Sequence, residues 1–412
     1  MKRYLSLTLL LALVAISGCS SDEPRNKGKD EFDPILLSRN QQEIVDAQNA
    51  FAIRLFSKVA NENTVISPLS VSLALSMTAN GAEGKTYTEI CDALGYEGAT
   101  IEEVNTLNRT LIDRLPTADS KTTVAIANSL WINNEHPILN SFKSSIEKIY
   151  DANISNLDLY STKSMSAINE WISKKTCGVF DNFLSSPLRC EAALINTLYF
   201  KSVWGAPINK SLTKPEPFYL ENGSETKVNM MQTSCTGIIY DDASVIRKDY
   251  GNSAFYLCAV MPPEGTTLSE YITALTPDMI KHWNEILTGK SDIGYSEVEL
   301  GFPKFNITSE FNLIPVLKSL GVESAFSPAA DFSKLSETAL FISEMKQQAR
   351  FEIDEDGVVA SAVTSESFDD NYCPGIIIPT KKIIFNRPFI YMVVERSTGA
   401  ILYIGGASNI GL

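Results

Sequence analysis

The chain has 412 residues, 44% hydrophobic and 20% charged, with 49 acidic against 35 basic side chains and a pI near 4.8. That composition is ordinary for a globular protein, and length alone suggests two or three domains. Lys and Arg nowhere cluster, which argues against a nucleic-acid surface, since phosphate binding needs a basic patch.

Lys2 and Arg3 precede an apolar run from Leu5 to Ile16, followed by Ser17, Gly18 and Cys19. This is the pattern of a secretory signal, and the run is short for a membrane span. Ile16-Ser17-Gly18-Cys19 resembles a bacterial lipobox. It implies removal of residues 1–18, acylation of Cys19, and anchorage in the outer envelope, surface-exposed or extracellular. Residues 19–40 read as the lipidated cysteine and a polar, aperiodic tether. From there to residue 412 the chain reads as one domain.

Gln41 to Val59 carries apolar residues at helical spacing (Ile44, Phe51, Leu55, Phe56). A short strand before Pro68 and a small-residue helix through Met77 follow. Ser67 and Ser70 bring hydroxyls into this apolar segment. Buried hydroxyls need partners, so a polar cluster is expected inside the core. Val124–Asn133 and Ala192–Lys201 read as strands buried on both faces, the second carrying Asn196, with Trp204 just beyond. Asn169 to Leu184 reads as a helix and its exit. Val298–Ile307 alternates like a strand, a helix runs to Gly321, and strands follow through Ile353. Pro388–Glu395 and Ala400–Ile404 flank Arg-Ser-Thr-Gly as a hairpin. Strands and helices interleave over the whole length, which points to one α+β core.

Conventional catalysis is poorly supplied. His136 and His282 are the two histidines, neither beside a second potential ligand, and no nucleophile elbow, P-loop or dinucleotide fingerprint occurs. Cys91, Cys177, Cys190, Cys235, Cys258 and Cys373 are widely spaced and lack a C-x-x-C pair, so no metal site is indicated. The expectation is no enzyme, no cofactor and no metal.

One segment fits no element. Glu355 to Gly375 separates two strands, with a first half of small and β-branched residues and a polar, turn-like second half. Loops of this length inside a compact domain are usually functional.

Together these residues resemble the serpin family from about Gln41 to Leu412. Asn63…Ser67-Pro68-Leu69-Ser70, Ala127-Asn128-Ser129-Leu130, Asn169-Glu170-Trp171-Ile172 and Asn196…Tyr199-Phe200-Lys201 carry the likeness in order. Pro303-Lys304-Phe305, Arg387-Pro388-Phe389 and Leu402-Tyr403-Ile404-Gly405 extend it. The resemblance implies a serpin fold of three β-sheets and eight or nine helices, exposing a reactive-centre loop at about 355–378. It implies suicide inhibition: a serine or cysteine protease cleaves the loop, and the freed segment enters the central sheet as a new strand. The alternative is a non-inhibitory serpin acting as a binding or scaffold protein. The implied partner is a target protease, with membrane contact only through the lipid, no nucleic acid, and a monomeric chain.

The resemblance also assigns roles. Glu355, Asp356, Gly357, Val358, Val359, Ala360, Ser361, Ala362, Val363 and Thr364 form the hinge. Ser67, Ser70, Asn196 and Gln347 form a hydrogen-bonded shutter; the family often has His where Gln347 stands. Trp204, Lys304 and Glu355 form the breach at the top of the sheet. The sequence departs from the family pattern in three ways. Val358 replaces an expected Thr or Ser, Glu366 would be buried on full insertion, and the loop is longer than usual. Counted forward from Glu355 the reactive bond falls at Asn371–Tyr372; counted back from Arg387 it falls nearer Ile376–Ile377.

Overall fold

A computed structural model describes residues 32–358 and 381–411. The first half of the described chain runs α1 (Arg39–Val59), β1 (Asn63–Ile66), α2 (Pro68–Ala79), α3 (Gly84–Leu94), α4 (Ile101–Arg114), β2 (Thr122–Asn133), α5 (Asn140–Tyr150), β3 (Asn153–Leu157), α6 (Thr162–Lys175) and β4 (Ala192–Val203). It continues with β5 (Lys214–Tyr219), β6 (Glu225–Tyr240), β7 (Ala243–Tyr250), β8 (Phe255–Met261), α7 (Leu268–Ala274), α8 (Pro277–Leu287) and β9 (Ser296–Pro303). The last stretch holds β10 (Phe305–Asn312), α9 (Ile314–Ser319), β11 (Ile342–Asp354), β12 (Gly357–Val358), β13 (Lys381–Ile384), β14 (Phe389–Glu395) and β15 (Ile401–Ala407).

The interleaved α+β reading matches this order. Nine helices occur among the described residues, and the strands form two hydrogen-bonded networks. Where three sheets were expected, two merge, because the 16-residue β6 belongs to both: its Met230–Gly237 stretch pairs with β9 and Thr236–Tyr240 with β7. The larger network follows β1-β15-β14-β8-β7-β6-β9-β13, with β5 on β6. The central sheet follows β10-β11-β12-β4-β2-β3.

Helix α2 sits between the two sheets, and all its residues are buried. Its small side chains permit that position, and its hydroxyls bond back into the helix: Ser72 to Leu69 O, Ser76 to Ser72 O and Thr78 to Ala74 O. The outer face of the central sheet is covered by α6. There Trp131, Ala193 and Ile195 meet Ile168 and Ile172, and Trp171 stands edge-on to Trp131. Burial on both faces explains the unbroken apolar run of β4.

Two boundaries differ from the sequence reading. Helix α6 starts at Thr162, before Asn169, because Ser161 caps it by accepting from Ser164 N. The alternating segment Val298–Ile307 is two strands in different sheets, parted at Lys304, whose backbone N–H turns to Asn229 O. The apolar positions change phase across that break, from Val298, Leu300 and Phe302 to Phe305 and Ile307, a slip the sequence reading passed over.

Candidate functional site

Strands β4 and β11 are neighbours that part company halfway. Their parallel ladder joins Ile342–Gln347 to Ala192–Asn196. Above it, Thr197 Oγ1 still donates to Gln348 O at 3.2 Å. At the top the two strands are separated by β12, which pairs antiparallel with both: Gly357 faces Val203 and Asp354, and Val358 faces Ser202 and Ile353. Two residues of a new strand are thus already seated between them, and Val358 is buried in the main core.

The turn into β12 is set by local chemistry. Asp354 Oδ1 accepts from Asp356 N at 2.8 Å and Gly357 N at 3.2 Å, an Asx-type turn. Gly357 has φ 132°, and a Cβ there would lie 2.0 Å from Ser202 O, so a side chain is excluded. Trp204 Nε1 donates to Asp354 O at 2.8 Å. Its ring stacks on Tyr250 with centroids 4.6 Å apart, and the Lys248 ammonium lies 5.3 Å from its centre.

Lys304 and Glu355 meet at 2.6 Å, and Thr213 Oγ1 donates to the other Glu355 oxygen at 2.7 Å. Glu355 is 7% exposed and Lys304 34%, so the pair is buried on its acidic side and screened by solvent on its basic side. Burial alone would raise the Glu355 carboxyl, but the Lys304 and Thr213 hydrogen bonds outweigh it and hold the group below its ordinary range. Burial raises Asp354, its neighbour. Lys210 and Asp356 add an exposed pair at 2.6 Å.

Where the ladder stops, the four polar residues singled out from the sequence come together. Gln347 Nε2 donates to Ser70 Oγ at 2.7 Å, Asn196 Oδ1 at 2.8 Å and Ser67 O at 3.0 Å. Gln347 Oε1 accepts from Ser67 N at 3.1 Å. Ser70 Oγ also donates to Asn196 Oδ1, and Ser67 Oγ to Leu402 O. Ser67 is also the N-cap of α2, so one hydroxyl serves both the helix start and the cluster. The amide at Gln347 therefore links both central strands to α2 without a titrating group.

Trp204, Lys304, Glu355, Asp356, Gly357 and Val358 gather at the top of the sheet, and Ser67, Ser70, Asn196 and Gln347 at its middle. Val359, Ala360, Ser361, Ala362, Val363, Thr364, Glu366, Asn371, Tyr372, Cys373, Ile376, Ile377 and Cys19 lie outside the described residues. The histidines stay apart: His136 contacts Thr338, and His282 stands edge-on to Tyr240. No group of side chains suited to a metal ion occurs among the described residues.

Sequence reasoning missed three contributors. Thr213 and Lys210 lie far from Glu355 in the chain and belong to no motif. Among the described residues Asn128, fully buried opposite Asn196, finds no hydrogen-bond partner for either amide atom, and Asn196 Nδ2 finds none either.

A family model described as "Serpin (serine protease inhibitor)" matches residues 46–410, and the chain belongs to the serpin family. Among its relatives is a "Serine protease inhibitor" of Cyanea capillata, 30% identical over 87% of this chain and 96% of the relative. The corticosteroid-binding globulin of Oryctolagus cuniculus is 28% identical over 85% and 91%. Among solved structures, native tengpin, a thermophilic serpin, superposes with TM-score 0.82 at 30% identity, covering 92% of this chain and 97% of tengpin.

Proposed function

We propose that this chain is a suicide inhibitor of a serine or cysteine endopeptidase. The protease nucleophile attacks a carbonyl in residues 359–380, forms an ester or thioester with it, and releases the downstream segment as an amine. The upstream segment then zips down between β4 and β11, carrying the acyl-linked protease with it, before water can cleave the bond.

The observation that carries this reading is β12, two paired residues at the top of a parting between two strands that no other described residue pairs across. Continuing its register sets residue 360 between Phe200 and Phe351, residue 362 between Leu198 and Ala349, and residue 364 between Asn196 and Gln347. Because Val358 faces the core, Ala360, Ala362 and Thr364 would face it too. Two are small, and the Thr364 hydroxyl would arrive where Asn196 and Gln347 now bond each other. The test is incubation with a panel of serine and cysteine endopeptidases. An SDS-resistant complex with at least one is expected; cleavage of the loop by every enzyme without any complex would overturn the proposal.

A second reading, a carrier that does not inhibit, is favoured by one cavity. A space of about 320 Å³ between α1, α8 and the β8–β14 face is lined by Asn49, Tyr256, Cys258, Lys281, Asn284 and Met392. Saturable binding of a small amphipathic compound, with no trapped protease, would select it.

We further propose that Cys19 carries a lipid anchor, supported by the Ile16–Cys19 pattern. Among the described residues no helix is long and apolar enough to cross a membrane. Detergent-phase partition should be lost in Cys19→Ala.

A further inference from the structure

We propose that an apolar groove beside the point where the loop rejoins the fold is a second docking site for the protease, one that seats an aliphatic or aromatic side chain of the enzyme surface. This rests on the inhibitor reading and adds a specificity determinant to it.

Large apolar side chains with substantial exposure are few among the described residues, and three of them gather here: Ile239 (42% exposed), Ile293 (51%) and Tyr295 (52%). Ile239 and Ile293 border a groove of about 160 Å³ whose other walls include Gly237, Val298, Lys381 and Ile383. Tyr295 follows the lining residue Gly294. The strands pack closely at the groove's Gly237 wall, where a Cβ would come 2.9 Å from Val298 Cγ2 and 3.2 Å from Ile383 Cδ1. Its volume suits one large side chain, the kind of anchor that dominates protein interfaces. A grouped apolar patch of this kind marks an interaction surface where scattered ones do not.

Position names the occupant. Lys381 is the first described residue after the loop and pairs with Val298, which in turn pairs with Cys235 on β6. The chain leading out of the loop therefore arrives at the groove's own wall. An extended chain covers at most about 3.6 Å per residue, so Tyr372 is within roughly 30 Å of Lys381. A protease of about 250 residues is roughly 45 Å across, so one holding either candidate bond is wide enough to reach the groove. Lys381 is exposed at the rim, so an acidic group beside the inserted apolar side chain complements it.

The experiment measures the association rate of the protease found to form the SDS-resistant complex, using Ile239→Ser/Ile293→Ser and, separately, Lys381→Glu. A synthetic peptide of residues 359–380 reports the same enzyme's preference for the loop alone. Loss of one interface anchor is worth about tenfold or more, so the double variant should associate about tenfold more slowly. The share of encounters ending in the trapped complex, and the unfolding temperature, should stay as in the unsubstituted chain. Lys381→Glu supplies the same test should the double variant misfold. Equal association rates for all three chains would overturn the groove while leaving the inhibitor reading intact. Absence of any trapped complex with the unsubstituted chain would overturn both.

Discussion

Two equally buried polar residues in the two sheets meet opposite fates. Glu395, at the end of β14 in the larger sheet, is fully buried, yet its carboxylate accepts four bonds: from Ser397 N and Oγ and from Thr398 N and Oγ1, at 2.6–2.9 Å. Asn128, on β2 in the central sheet, is buried to the same degree and finds no partner for its amide among the described residues, and its neighbour Asn196 keeps an unpartnered Nδ2 there. A satisfied carboxylate costs little to bury, whereas an unsatisfied amide costs about 1–3 kcal/mol. Among the described residues the larger sheet leaves one buried hydroxyl unpartnered, Tyr250 Oη on β7. The central sheet carries unmet bonding capacity on β4, which borders the parting, and on β2 beside it, as expected if the native state is held short of its most stable arrangement.

The sharpest way to break this contrast is to block the parting. Continuing the register puts Ala360 between Phe200 and Phe351, both buried. Ala360→Glu would bury an unpaired carboxylate, costing several kcal/mol at the insertion step. The protease should then cleave and depart, and the SDS-resistant band should disappear while loop cleavage continues. Next in size is Gln347→Ala, which removes four hydrogen bonds and leaves the buried Ser67 N–H without its acceptor, while Ser70 Oγ keeps Asn196 Oδ1 and Ser67 O. A loss of about 2–4 kcal/mol is expected in the first urea transition of the uncleaved protein. Smaller and opposite in sign is Asn128→Leu. It replaces an unpartnered amide with an apolar group of similar size and should stabilise the uncleaved form by about 1–2 kcal/mol. Were Asn128→Leu destabilising, the proposed seat of instability in the central sheet would be wrong.

Much of this was legible in the sequence, for physical reasons that differ from residue to residue. β4 declared itself because a strand buried on both faces needs an unbroken apolar run, and α2 because Ser67 and Pro68 mark a helix start. Ser67, Ser70 and Asn196 stood out as polar residues inside apolar runs, which need partners, whereas Gln347, in a polar stretch, was named only through the family resemblance. What stayed hidden depends on distant chain segments meeting. Thr213 completes Glu355 from another part of the fold, and nothing around either residue announces it. The groove at Gly237 is visible only once β6, β9 and β13 lie side by side. The merging of two expected sheets through β6 was equally unread: its buried positions change phase between Met230 and Met231, and which strands flank each part depends on distant segments.

The smallest expected effect concerns the latch above β12, and pH separates its two carboxyls. Glu355 titrates below its ordinary value of 4.5 in the folded chain, so it contributes stability above that pH and loses it as pH falls through the lowered folded value. Asp354 is raised above 3.8 by burial, so its charged form costs stability at high pH, and protonation on acidification returns it. The two therefore oppose each other, and a titration of the unsubstituted chain alone would understate the latch. Glu355→Gln isolates it. Lys304 is 34% exposed, so solvent screening limits the pair to about 1 kcal/mol. The variant should be less stable than the parent by that amount near neutrality, and the gap should close as pH falls below 4.5 and through the lowered folded value. In Lys304→Ala the same deficit should appear, and the double variant should show little more than either single one, because both changes remove one interaction. Full additivity in that cycle would mean that Glu355 is held by Thr213 alone and that the ion pair does not latch the top of the sheet.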